Sequence, residues 1–265
     1  MSFISFCLKA KYFYALVLLA GLMGTGPLYA QGFLDEWSLK FDGNKQHHIK
    51  AGPFYTPNTS YSHSPFFVEA WLKPGDLTGA SYWISQRYGG AHILLVGVND
   101  AEPGRVKITG NLNDGINFNS FQSVDTTARD AWAHHAVLYV PTNHFGEGNP
   151  AAPTVFTFIN GVLSSRTAVV NPRANSGNWW TGSNTLEIGG TEHSNFDGNI
   201  SQVRLFEGSV PFVFDESYGG AGAASFVPER SFRGGFYTPN DKVRAGVSLL
   251  YDFRRPTGRT IPDVG

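Results

Sequence analysis

Hydrolysis of a glycosidic bond needs two placed carboxyl groups, and a strand holds such groups on one face only at alternate positions. Among the 21 acidic residues of the 265-residue chain, only Asp100 and Glu102 stand two apart, and no pair stands four apart. Both fall in NDAEPG, whose Pro and Gly mark a turn in which no strand would hold their geometry. Glu69, in VEAWLK, has no acidic partner at 71 or 73. The spacing argues against a strand-borne glycosidase. Histidines argue in the same way against a transition-metal site. His134, in WAHHAVLYV, shares a face with Ala136, Leu138 and Val140, so it reads as a satisfied core or sheet-edge residue. His135 must point the other way, and the same objection meets His47 and His48. Aromatic rings suit another task, since the apolar face of a pyranose stacks on a ring while amides and hydroxyls bond its edges. Trp179 and Trp180 stand among polar turn residues in NPRANSGNWWTGSN, with Asn178 and Asn184 beside them, and are the leading candidates for a ligand contact. The competing reading has both rings covering the end of the fold.

The elements that must position these residues are short. SLKFD, PFFVEAWLK, YWISQR, HILLVGV, RVKITG, WAHHAVLYV, TVFTFIN, TLEIGG and NISQVRLF are strand-like runs separated by turn residues, and no helix-period stretch competes with them. Asn160-Gly161 in FINGVL suits the positive φ angles of a type I′ turn and predicts a hairpin. Many antiparallel strands without helices predict an all-β fold, a two-sheet antiparallel jelly-roll sandwich. Trp71 and Trp132 are then expected in its core. In NFDGNISQVRLF, simple alternation puts Val203 and Leu205 on one side and Ile200, Gln202, Arg204 and Phe206 on the other, with Asp197 bonding local backbone where the strand starts.

The ends bound the setting. Lys9 and Lys11 precede an apolar run that leads through small residues to PLYA, which reads as a signal peptide over residues 1–30. The run falls short of the roughly 20 residues needed to span a bilayer, so no transmembrane segment is expected once the peptide is cut. The expected location is secreted, periplasmic or cell-surface. Removing the peptide changes 20 bases and 21 acids to 18 and 21, a mildly acidic balance that argues against a nucleic-acid partner. The lone cysteine, Cys7, lies in the same peptide, so core burial must hold the exported domain together.

FFVEAWLKP, WAHHAV, FINGVL, LEIGG and FDGNISQVRLF, in that order, resemble the laminin G-like jelly rolls of the concanavalin A-like lectin and glucanase superfamily. The likeness covers residues 38–206 and implies two curved sheets face to face in a family dominated by carbohydrate binding and adhesion. Its glucanase branch uses carboxylates two and four apart on one strand, a pattern the chain lacks. Several such jelly rolls hold calcium, which takes six to eight oxygens. The matching donors here are Asp42, Asp114, and Asp197 with Asn199, each also readable as a turn former. The expected organisation is a jelly roll over residues 31–210, a Gly/Pro-bearing connector over 211–245 and a further strand over 246–265. That strand either opens a second repeat, the favoured reading, or completes the same sandwich. FYTPN, at 54–58 and again at 236–240, fits some duplication. The function expected is a secreted, non-catalytic module for glycan binding or adhesion, with a polysaccharide-degrading hydrolase or lyase, or a structural spacer, as alternatives.

Overall fold

Each strand-like run alternates two sets of side chains across a pleat, so a strand rich in apolar residues at both parities must bury both of its faces. The structure, a computed structural model, describes residues 38–43, 48–51, 65–77, 79–88, 91–113, 118–140, 152–169, 185–190, 195–207, 214–215, 225–226 and 249–251. The expected leader and Cys7 lie outside them. All regular elements among the described residues are strands: β1 Leu39–Asp42, β2 Ile49–Ala51, β3 Phe66–Pro74, β4 Ser81–Tyr88, β5 Ala91–Glu102, β6 Arg105–Asn113, β7 Phe118–Gln122 and β8 Thr127–Ala128. The chain continues through β9 Ala133–Val140, β10 Thr154–Ile159, β11 Val162–Ala168, β12 Thr185–Ile188, β13 Asp197–Glu207, β14 Phe214–Asp215, β15 Ser225–Phe226 and β16 Leu249–Tyr251.

Two seven-stranded antiparallel sheets result. One, sheet A, has the order β1-β13-β3-β9-β10-β11, with β16 also on β13; the other, sheet B, has the order β2-β12-β4-β5-β6-β7, with β8 on β6. This is the jelly-roll sandwich expected. Phe66, Val68, Ala70, Leu72, Val137 and Tyr139 from sheet A close on Trp83, Ile84, Val96, Val98, Ile108 and Leu186 from sheet B in a single buried cluster. Each fully buried side chain of this size contributes about 1.5–3 kcal/mol. Burial also pushes the Tyr139 hydroxyl well above its ordinary pKa.

The hairpin between β10 and β11 turns on Asn160 and Gly161 at φ 51° and 76°, the two positive angles of the expected type I′ turn. Three local readings are corrected. β5 runs on to Glu102, so Asp100 and Glu102 belong to a strand end with a bulge between them, not to the turn. Asp100 pairs there with Arg129. In β13 a bulge at Gln202, whose φ is 51°, returns Ile200 to the same core as Val203 and Leu205 and leaves Arg204 and Phe206 on the other face. Among the described tryptophans Trp83 is sealed in the sandwich, at 0% exposure, while Trp71 and Trp132 are only half-buried.

β16 pairs antiparallel with Val203–Leu205 of β13, just past the stretch where β1 pairs with Asp197–Ile200. The C-terminal strand therefore extends the same column of sheet A that β1 begins.

Candidate functional site

The outward faces of the two sheets differ in kind. On sheet A, the side of β3, β9, β10 and β13 turned away from the core carries Phe67, Leu138, Val140, Phe156, Phe158 and Phe206, all fully buried in a second apolar cluster. Phe67 and Phe206 meet at 5.8 Å between ring centres. The same face holds a charged group. Strand register sets Glu69 opposite Arg204 on one side and Ala136 on the other, one diagonal from His134. His134 Nε2 donates to Glu69 Oε2 at 2.7 Å. Arg204 Nε lies 2.8 Å from Glu69 Oε1, an ion pair lying off the line of a good hydrogen bond. The Trp71 ring leans on the imidazole at 5.6 Å. With side-chain exposures of 0–1%, this cluster is sealed from solvent and ties three strands together.

At one corner of sheet A, Asp42 and Asp197 are directly opposed across β1 and β13. Burial raises the Asp197 pKa, and Asp76, Asp42 and Asp130 push it the same way against the pull of Lys40. Asn199 donates to Ser38 Oγ at 3.0 Å. Among the described residues no group of three or more His, Cys, Asp or Glu side chains is arranged to hold a metal. Two opposed carboxylates supply only part of the six to eight oxygens that calcium takes. Asp114 lies outside the described residues.

The outward face of sheet B is polar. One cross-strand row reads Lys50, Glu187, Ser85, Leu95, Asn111 and Ser120 from β2 to β7, each residue paired with the next. Ser85 Oγ donates to Glu187 Oε2 at 3.5 Å, and His48 Nε2 lies 3.8 Å from the other carboxyl oxygen. In the neighbouring rows Thr185 pairs with Arg87, and Tyr82 with Gly97. A Cβ on Gly97 would stand 2.8 Å from Tyr82 Cδ1, 2.7 Å from Tyr82 Cα and closer still to the Ser81 carbonyl oxygen, so only glycine lets β4 approach β5 this closely beside the tyrosine. Ser120 Oγ then donates to Asn111 Oδ1 at 2.6 Å, and Asn111 Nδ2 to the Tyr82 hydroxyl oxygen at 3.4 Å.

Simple alternation along the chain misses this face, because a bulge in β4 places Trp83 as an extra residue between Tyr82 and Ile84. Uninterrupted alternation would group Tyr82 with Ile84 and Gln86; the bulge instead puts it with Ser85 and Arg87. The expected ligand residues Trp179, Trp180, Asn178 and Asn184 lie outside the described residues. The chain enters β12 at Thr185 directly after Asn184, so that segment leads onto sheet B.

Residues 44–210 match a family model described as the concanavalin A-like lectin/glucanases superfamily. The chain belongs to that superfamily, in its laminin G branch. No curated protein sequence is similar to the chain at a significant level. Solved structures with a similar course of chain include a native heptameric SAP-like pentraxin from Limulus polyphemus, 12% identical over 63% of this chain and 74% of that one, with a TM-score of 0.45. Another is the CBM40 of the Ruminococcus gnavus IT-sialidase bound to alpha2,3 sialyllactose, 13% identical over 62% and 85%, with a TM-score of 0.41. A third is an alginate lyase from Pseudomonas aeruginosa, 10% identical over 56% and 67%, with a TM-score of 0.35. Among the described residues no helix is long and apolar enough to cross a membrane.

Proposed function

We propose that the chain is an exported, non-catalytic glycan-binding module whose binding surface is the outward face of sheet B. The contrast between the two outward faces carries this reading. Sheet A turns a sealed apolar layer outward, whereas sheet B leaves Lys50 and Ser120 exposed and Arg87 and Asn111 half-buried around a half-buried tyrosine, with Ser85 and Glu187 buried among them. Amides and hydroxyls beside an aromatic ring are the groups that recognise a sugar. Membership of a superfamily of lectins and glucanases supports the ligand class. A glycan array probed with the full chain, with and without a chelator, tests the proposal: binding to defined glycans is expected, and silence in both conditions overturns it.

A polysaccharide-degrading enzyme is the second reading, and one observation favours it. His48, Glu187 and the Arg87 row lie on the same face, an imidazole, a carboxylate and a guanidinium within one region. Proton transfer in polysaccharide cleavage draws on groups of these types. Incubation with polysaccharides separates the readings, because product release would replace the non-catalytic module with an enzyme.

A further inference from the structure

We propose that Tyr82, beside Gly97 and edged by Asn111 and Ser120, forms a subsite for an uncharged pyranose. This deepens the glycan-binding reading and rests on it. The ring passes beside Gly97 and its hydroxyl reaches Asn111 on β6, so the half-buried tyrosine lies across β5 on the outward side of the sheet. A ring tethered at its hydroxyl by a neighbouring strand offers an apolar platform that loses little freedom when a sugar stacks on it. Its edge is already organised: the Ser120 hydroxyl donates to Asn111, and Asn111 donates to the tyrosine oxygen. The exposed Ser120 oxygen can accept from a sugar hydroxyl and the second Asn111 amide hydrogen can donate to one.

Charge selects the ligand class. Asn111 and Ser120 are neutral, and the next outward row continues from Tyr82 and Gly97 through Thr109 to Gln122, also without charge. Lys50 and Glu187 stand at the other end of the Asn111 row, on β2 and β12, and Arg87 lies beyond that row on β4. Lys107 stands one row farther along β6, opposite Asn99 and on the side of Tyr82 away from Asn111. Among the described residues, a uronate or sialate carboxylate seated between the ring and Asn111 would meet no cation there, whereas a neutral hexose loses nothing by that neutrality.

Affinity electrophoresis of the full chain through gels holding laminarin, glucomannan, alginate or polygalacturonate tests this. Retardation by a neutral polymer is expected, with Tyr82→Ala and Asn111→Ala each weakening it about tenfold or more, and Tyr82→Phe and Ser120→Ala by a few-fold. Asp100→Asn, near the turn between β5 and β6, should leave it unchanged. Thermal unfolding identifies a variant that fails to fold; Ser120→Ala and Tyr82→Phe then carry the test, since neither removes packed bulk. Neutral-polymer binding that ignores all four site substitutions overturns the location while leaving the glycan-binding reading standing. Retardation by the acidic polymers alone overturns the uncharged class. Binding to none of the polymers, nor to the array, overturns both.

Discussion

Glu69 is buried between His134 and Arg204, so three ionisable side chains from three strands share one sealed space. Breaking such a pair leaves a charge without compensation. Arg204→Met should therefore lower unfolding free energy by about 3–5 kcal/mol, and adding Glu69→Leu should restore much of it. Urea titration of the single and double variants measures both. His135 makes a second prediction. Burial, and then the neighbouring His134, lowers its pKa from 6.5 to about 3. Below pH 6.5 the unfolded chain binds a proton that the folded chain refuses, so stability falls as pH drops from about 6.5 toward 3, at up to about 1.4 kcal/mol per unit from this residue. His135→Gln should flatten that part of the stability profile; an unchanged slope would show that other groups set it. Only part of this was open to a reading of single residues. Alternation correctly groups His134 with Ala136, Leu138 and Val140, but a search for partners of Glu69 along its own strand finds none, because they come from β9 and β13.

Strand existence was legible because β-branched and aromatic runs and turn residues are local signals, and the Asn160-Gly161 turn confirms how much a dipeptide can specify. Strand facing was less legible wherever a bulge intervened. The bulges at Trp83 and Gln202 each shift the parity of the residues beyond them, hiding Tyr82 on β4 and misplacing Ile200 on β13. Gln202 sits between the ends of the β1 and β16 pairings, buried, with φ at 51° and both amide atoms lacking a hydrogen-bond partner among the described residues. Gln202→Gly should therefore leave stability unchanged or raise it by about 1 kcal/mol, whereas Gln202→Val should lower it, because a branched side chain resists a left-handed backbone. Thermal unfolding of the two variants provides the comparison.

Across the full sandwich, the two sheets share one core but differ outside it, and that difference is the reason for assigning binding to sheet B. If the ligand is an uncharged glycan, its affinity should change by less than about twofold as added salt shortens the screening length from about 30 to 8 Å. Titration calorimetry at two ionic strengths checks this, and a steep fall with salt would point to an anionic polymer held by Arg87 and Lys50. The all-β class, the sandwich and the hairpin could be read from the chain before folding, since each follows from residue types within a few positions of one another, and the superfamily from the resemblance of five motifs in their order along the chain. Folding in three dimensions settled which face of sheet A is sealed, which strands supply partners to Glu69, and that Tyr82 lies beside Gly97. Those features depend on register between strands far apart in the chain, where a one-residue bulge reverses every side chain beyond it.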